Sequence, residues 1–211
     1  MDVFVNDNQA DSGFTIGGTV EDALRHVQAN LCAPGHVVVS VRCDGQGLSG
    51  EAMAAALQKP ASSFERLDVF TDTKEALVSD AMGNALASLT ETDAACRRVA
   101  ELLTEGKTVE AAETLSDCLS IWQQIHVAVA RSIEILRLDP EQIRVDGEPL
   151  TELIGKPREV LLQVKEALQA RDHVLLADIL QYEFQEVTGR WHDIATRLRD
   201  EAEDLKASRR P

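Results

Sequence analysis

The sequence predicts an α+β protein. A small domain of strands and short helices, residues 1–73, precedes an antiparallel four-helix bundle, residues 74–211, built from two helical hairpins. Two observations support this division. The apolar pattern changes type roughly every ten residues in the first domain, whereas from Lys74 onward it keeps a helical period. In addition, 44% of the 211 residues are hydrophobic, which is enough for a substantial core.

The N-terminal domain combines four strand signals with one strong helix signal. Strands are predicted at residues 3–5, 14–16, 37–43 and 67–70. Turn-forming residues at 6–13 join the first two strands into a hairpin. Thr19 with Asp22 three residues later predicts a capped helix that stops at Pro34. A short helical stretch precedes the last strand.

This order of elements is that of a β-grasp domain. It rests on four segments: Val3-Phe4-Val5-Asn6, Thr19-Val20-Glu21-Asp22-Ala23-Leu24, Val39-Ser40-Val41-Arg42-Cys43-Asp44-Gly45 and Leu67-Asp68-Val69-Phe70. Through them the N-terminal third resembles ubiquitin-like sulfur carriers, such as the thiamine-pathway carrier and the small subunit of molybdopterin synthase. Those carriers work through a free C-terminal Gly-Gly, whereas this chain continues into helices after Asp72. The resemblance therefore implies the fold without sulfur transfer.

The bundle is predicted from apolar positions that advance by three and four residues. The first helix has Val78, Met82, Ala85, Leu89, Thr92, Cys96, Val99 and Leu103, the second Leu115, Leu119, Trp122, His126, Val129, Ile133 and Leu136, and the fourth Leu180, Phe184, Val187, Trp191, Ile194 and Leu198. The third helix begins at Pro157 and is about half as long. Apolar positions beside each seam, such as Leu86 and Ile121, widen the stripe to the width that a bundle buries.

The two hairpins show internal similarity. A shift of 65 residues aligns Val109 with Val174 and also superposes the turns at 105–107 and 171–172. The match favours an ancestral duplication, although periodic helices also produce such matches by chance. The connector at 139–155 is interpreted as a crossover between the hairpins.

Composition excludes several function classes. The net charge of −15 without a basic patch predicts no binding to nucleic acids or anionic membranes. The N-terminus lacks the pattern of a secretory signal, and no run of 18 apolar residues predicts a spanning helix. Cys32, Cys43, Cys96 and Cys118 share no close spacing, which is typical of reduced thiols. A cytoplasmic location is expected.

One motif suggests a ligand. The sequence Gly45-Gln46-Gly47-Leu48-Ser49-Gly50 matches the dinucleotide pattern, but Asp44-Gly45 is also a strong turn signal and the following helix is short. The spacing of His, Cys and acidic residues matches no metal site. The sequence therefore predicts no metal, no cofactor and no catalytic residues, and indicates that the chain is not an enzyme.

The partner-binding surface is predicted on the second and fourth bundle helices. Its residues are Trp122, His126, Ile133, Leu136, Trp191, Ile194 and Leu198. The short third helix leaves about 20 Å of apolar seam uncovered, at about 1.5 Å per residue. The tryptophans are also explained by core filling. His126 is interpreted as a buried or interface group that fixes register, with a phosphoryl-accepting histidine as the alternative.

These features predict a protein-binding adaptor or chaperone-like module. Its long amphipathic helices would bind a partner helix or a second copy of the chain, so the expected partner is a protein or a homo-oligomer. The alternative is a regulator or enzyme that uses the N-terminal domain to bind a small molecule or nucleotide.

Overall fold

A computed structural model describes residues 1–10 and 18–208. The chain divides into two compact units, Met1–Leu77 and Val78–Pro211. The first unit contains a mixed sheet of five strands and the second is mostly helical. The α+β class predicted from the sequence is confirmed.

The sheet of the first unit has the strand order β2-β1-β5-β3-β4. The strands are β1 (Asp2–Val5), β2 (Asn8–Gln9), β3 (His36–Cys43), β4 (Gln46–Gly47) and β5 (Arg66–Thr73). The central strands β1 and β5 are parallel, while the other pairs are antiparallel. This is the strand arrangement expected for the β-grasp order. The helices of this unit are α1 (Val20–Asn30) and α2 (Gly50–Leu57), with a 3₁₀ turn at Ala61–Ser63.

The core of the first unit lies between the sheet and α1. Alternate strand residues point to this side, and the apolar stripe of α1 covers them. The buried set comprises Val3, Val20, Ala23, Val27, Val41, Cys43, Leu67 and Val69. Thr19 and Asp22 form the predicted capping box, in which the Asp22 amide donates to Thr19 Oγ1 at 3.3 Å and the Thr19 amide donates to Asp22 Oδ2 at 3.0 Å.

The first hairpin is shorter than the sequence analysis predicts. Asn6 and Asp7 have φ values of 49° and 63°, and two consecutive left-handed residues make the tight turn that suits a hairpin. The second strand therefore begins at Asn8. The predicted strand at residues 14–16 lies outside the described residues.

The second unit contains four bundle helices. They are α3 (Lys74–Thr104), α4 (Thr108–Leu136), α6 (Pro157–Ala170), and a last helix that runs from α7 (His173–Asp178) through a π-helical turn (Ile179–Glu183) into α8 (Phe184–Ser208). Hydrogen bonds from Ser79 to Glu203 and from Thr188 to Asp93 set α3 antiparallel to α8.

The connector between the hairpins is part of the core. It contains a two-stranded hairpin, β6 (Arg144–Val145) and β7 (Glu148–Pro149), followed by α5 (Leu150–Gly155). Ile143, Val145, Leu150 and Leu153 are buried with the bundle residues. The interpretation of this segment as a crossover loop is therefore incomplete.

The expectation of an uncovered seam on the last helix is wrong. Ile194 and Leu198 are fully buried in the bundle core. The connector supplies additional core residues, and α3 runs antiparallel along α8, so the apolar face of α8 is covered within the chain.

The two hairpin turns have the same hydrogen bonds. In the first, the amides of Gly106 and Lys107 donate to the carbonyls of Leu103 and Leu102. In the second, the amides of Arg171 and Asp172 donate to the carbonyls of Leu168 and Ala167, each 65 residues further on. Both turns end their helix with a left-handed residue, Gly106 and Arg171. The same pair of bonds also ends α4, where the amides of Arg137 and Leu138 donate to the carbonyls of Glu134 and Ile133. This geometry is therefore a common helix ending, and the duplication stays a hypothesis.

Candidate functional site

An apolar groove lies between α4 and the junction of α5 with α6. Its volume is about 590 Å³. Apolar side chains from three helices line it: Leu119 and Trp122 of α4, Ile154 of α5, and Pro157, Leu161 and Leu162 of α6. The other lining residues are Gly155, Gln123, His126 and Arg158. Two of the residues predicted to bind a partner, Trp122 and His126, are therefore part of this groove.

Four aromatic rings form a cluster behind the groove. The ring centroids of Trp122 and Trp191 are 5.0 Å apart, and those of Trp122 and Phe184 are 5.2 Å apart. His126 stacks on Trp191 with centroids 5.4 Å apart and an angle of 27° between the planes. Tilted and offset ring contacts of this kind are favourable beyond the area that they bury. The cluster therefore packs α4 against the last helix, and its members Trp122 and His126 form one wall of the groove.

His126 is exposed, so its interpretation as a buried group is wrong, while its interpretation as an interface group and the phosphoryl-accepting alternative stay predictions. Its ring covers one face of the buried Trp191 and borders the groove. The seam pattern predicted burial because His126 occupies an apolar position of α4. The helix instead places the imidazole at the edge of the seam, where one side contacts Trp191 and the other side faces solvent.

The remaining predicted site residues lie away from any open surface of this groove. Trp191, Ile194 and Leu198 are buried. Ile133 and Leu136 are half-buried and pack against the bundle core. None of these five side chains lines the groove. Core filling, the alternative considered for the tryptophans, describes Trp191, while Trp122 is buried in the core and also lines the groove.

The contribution of α6 to the groove is not among the binding residues predicted from the sequence. Val160, Leu161, Val164 and Leu168 follow one apolar stripe of this helix. Leu162 lies beside that stripe and remains 48% exposed. A large apolar residue beside an apolar stripe is the signal that points to this surface.

A second, charged cleft lies on the other side of the α5–α6 junction. It has a volume of about 330 Å³ and includes Lys156, Glu159, Glu186, Arg190 and Trp191 among its lining residues. Glu148 joins its two cations: Arg190 Nη1 donates to Glu148 Oε1 at 3.1 Å, and Lys156 donates to Glu148 Oε2. The hydrogen bond from Lys156, with the positive charges of both cations, lowers the pKa of Glu148.

The glycine motif of the first unit lies in a hairpin turn. Asp44 and Gly45 have φ values of 49° and 79° and form the turn between β3 and β4, while Gly47 belongs to β4. The Asp44 carboxylate accepts hydrogen bonds from the amides of Glu65 and Arg66 at 2.9 and 2.8 Å. The turn interpretation therefore accounts for the motif, because a strand interrupts the loop that a dinucleotide site requires.

The cysteines lie in the interior of both units. Cys43, Cys96 and Cys118 are buried, Cys32 is half-buried, and all four are free thiols. Hydrogen bonding to Cys118 and burial raise the pKa of the Cys96 thiol. Within residues 1–10 and 18–208, no group of three or more His, Cys, Asp or Glu side chains is placed to hold a metal ion. Among the helices in the described part of the chain, none combines the length and apolarity needed to cross a membrane.

Comparison with known families covers both units. A family model described as a domain of unknown function, DUF8042, matches residues 80–194, which include the groove. A second model, described as the TP0873 N-terminal domain, matches residues 1–73. No curated protein and no solved structure matches the chain.

Proposed function

We propose that this chain, which belongs to the DUF8042 family, is a non-enzymatic adaptor or chaperone-like protein. Its helical unit binds an amphipathic helix of a partner protein. The binding site is the groove between α4 and the α5–α6 junction. The observation that carries the proposal is the groove itself, which has an apolar lining and the exposed Leu162 at its surface.

The stretch of α4 that lines the groove has the length of about two helical turns. Leu119, Trp122 and His126 follow one another along α4 over seven residues, which corresponds to about 10 Å at 1.5 Å per residue. An amphipathic helix presents residues i, i+3 or i+4, and i+7 over the same distance. Three apolar anchors of the partner therefore span the same distance as these three residues of α4.

The net charge of the chain predicts which residues lie on the polar face of the partner helix. A net charge of −15 attracts a cationic partner and repels an acidic one. The preferred partner helix has leucine-like residues on one face and Lys or Arg on the other. Arg158 lines the groove and suits the C-terminal carbonyl groups of the bound helix, which carry partial negative charge.

Intrinsic fluorescence provides a direct test, because the chain has only two tryptophans and both belong to the aromatic cluster. The probe is a synthetic 18-residue peptide with Leu at positions i, i+3, i+4 and i+7 and Lys on the opposite face. The control is a peptide of the same composition whose order gives no apolar face. We expect saturable quenching or a spectral shift with the first peptide at micromolar concentrations, and none with the second.

Two variants of α6 locate the binding site. Leu162 lines the groove and is 48% exposed, whereas Leu168 is 44% exposed on the same helix and does not line it. We expect Leu162→Glu to weaken peptide binding at least tenfold and Leu168→Glu to leave it within about twofold. Equal effects of the two variants, or equal binding of the two peptides, would contradict the proposal.

A nucleotide panel in a thermal-shift assay tests the alternative function. A specific ligand of the first unit would raise the melting temperature of the folded protein. We expect no nucleotide to do so at millimolar concentration.

A further inference from the structure

The outer surface of α3 and α4 contains two long stretches without charged side chains. Residues 81–90 of α3 and residues 118–130 of α4 contain no Asp, Glu, Lys or Arg, in a chain of which 27% of the residues are charged. We call the surface formed by these two stretches the uncharged face. Its exposed polar residues are Asn84, Thr90, Ser120, Gln123, Gln124 and His126, of which Gln123 and His126 lie at its edge and also line the groove.

The two stretches form one continuous surface. Ala81, Asn84, Ala85 and Ser88 of α3 line a shallow depression together with Gln124, Ile125 and Ala128 of α4. A neighbouring depression on α4 shares Gln124 and Ala128 with it and adds Ser120, Gln123 and Val127. The small side chains along this boundary allow another helix to approach closely. Val127 is 52% exposed, so the face also includes apolar surface that water contacts.

The chemistry of this face suits contact with itself. In a two-fold symmetric dimer, each group meets either its own copy or a group of the same surface. Carboxylates cannot do this without repulsion, whereas amide and hydroxyl groups both donate and accept hydrogen bonds. Asn84, Ser120, Gln123 and Gln124 belong to this self-complementary type. The depletion of charge is also the compositional feature that distinguishes the centre of a protein interface.

The net charge of the chain favours this face over the rest of the surface for contact between two copies. Two copies that each carry a charge of −15 repel one another over most of their surface. A face without acidic residues is where two copies approach with the least repulsion. We propose that the uncharged face of α3 and α4 binds the uncharged face of a second copy of this chain, and that the protein forms a symmetric dimer through it.

The size of the face sets the strength of this dimer. Residues 118–130 of α4 span about 19 Å, and two adjacent helices are about 20 Å wide, which gives about 400 Å² per subunit. Stable dimers bury about 800 Å² per subunit. The dimer is therefore weak and reversible, with monomer and dimer both populated at micromolar to millimolar concentrations.

Salt provides the first test. Screening of the net charge removes the repulsion between copies, so the association should strengthen when NaCl is raised from about 20 mM to about 300 mM. An association held together by ion pairs would weaken over the same range. Sedimentation equilibrium of the full chain over a concentration series measures the dissociation constant in both conditions. A chain that remains monomeric up to about 1 mM at 300 mM NaCl would overturn the proposal.

A matched set of substitutions separates contact from net charge. Gln124 is exposed on the uncharged face and does not line the groove between α4 and α6. We expect Gln124→Glu and Gln124→Lys each to weaken dimerisation at least tenfold. Either charged side chain would be buried at the interface against the uncharged face of the second copy, without a group of opposite charge. Gln169, exposed on α6, is the control position. There, Gln169→Glu and Gln169→Lys should change the dissociation constant less than threefold and in opposite directions, through net charge alone.

The results distinguish this proposal from helix binding in the groove. If Gln124→Lys strengthens association, or if both Gln124 variants dimerise as the wild type does, the uncharged face is not the interface. Glu and Lys are good helix formers, so far-UV circular dichroism should remain unchanged in all four variants. Leu162→Glu should leave dimerisation intact, while the Gln124 variants should still bind the amphipathic peptide.

Discussion

Thr188 on α8 donates its hydroxyl hydrogen to the carboxylate of Asp93 on α3, across 95 residues of sequence. Thr188 is fully buried, whereas Asp93 is half-buried. This bond and the bond from Ser79 to Glu203 align the first and last helices of the bundle in one antiparallel register.

Replacing Thr188 by Val should lower the free energy of unfolding by about 1–3 kcal/mol, because the Asp93 carboxylate loses a donor in a partly buried position. Urea unfolding followed by circular dichroism measures the change. The matched control is Thr90→Val on α3, an exposed position where the loss should stay below about 0.5 kcal/mol. Equal losses in the two variants would show that the contact between α3 and α8 does not stabilise the bundle.

Replacing Ile194 by Glu should disrupt folding of the bundle. Ile194 is fully buried, and a carboxylate at that position would lack both water and a cation. The variant should lose helical circular dichroism at neutral pH, or unfold at much lower urea concentration than the wild type. Ile194→Val, which removes one methylene group, should cost only about 0.5–1.5 kcal/mol. If Ile194→Glu keeps its helical signal and stability, the side chain is on the surface and the described packing of α8 is wrong.

The ion pairs of Glu148 should make stability depend on pH. Hydrogen bonding to Lys156 lowers the pKa of Glu148 from its ordinary value of 4.5. A carboxylate with a lowered pKa in the folded state contributes stability above the pKa of the unfolded chain and loses it as the pH falls through the folded value. The wild type should therefore exceed Glu148→Gln in stability at pH 7, and the difference should shrink as the pH falls below 4.5 and through the lowered pKa of Glu148.

Urea midpoints of both proteins at several pH values measure this difference. The effect should be small, because the side chains of all three partners are partly exposed. Glu152→Gln, at an exposed position of α5, serves as the control. A difference between wild type and Glu148→Gln that persists unchanged down to pH 3 would show that the carboxylate charge plays no part.

The first unit should fold without the second. Its buried residues form a cluster that is separate from the bundle core, and its sheet is complete within residues 1–77. A fragment of residues 1–77 should give dispersed amide resonances and a cooperative thermal transition. Collapse of these signals in the fragment, with an intact signal in the full chain, would show that the two units depend on each other for stability.

The sequence by itself determined the class of the fold and the type of each major element. Local signals were sufficient for the capped helix at Thr19, the strands at residues 37–43 and 67–70, and the two hairpin turns of the bundle. Each depends on a few neighbouring residues, such as the Thr19 and Asp22 pair or the helix-ending Gly106. The period of the apolar residues predicted the long helices as well, because a helix of a bundle buries one stripe of its surface.

Only the tertiary structure decided which apolar side chains stay exposed. The apolar positions of a helix do not show which other segment covers them, because the covering segment is distant in the sequence. Ile194 and Leu198 are buried because α3 lies along α8 and the connector adds Leu150 and Leu153 to the core. His126 occupies a position of the apolar pattern in the sequence, but its side chain is exposed in the bundle. The groove arises where α4 meets the α5–α6 junction, and packing between segments that are separate in the chain is what local patterns do not encode.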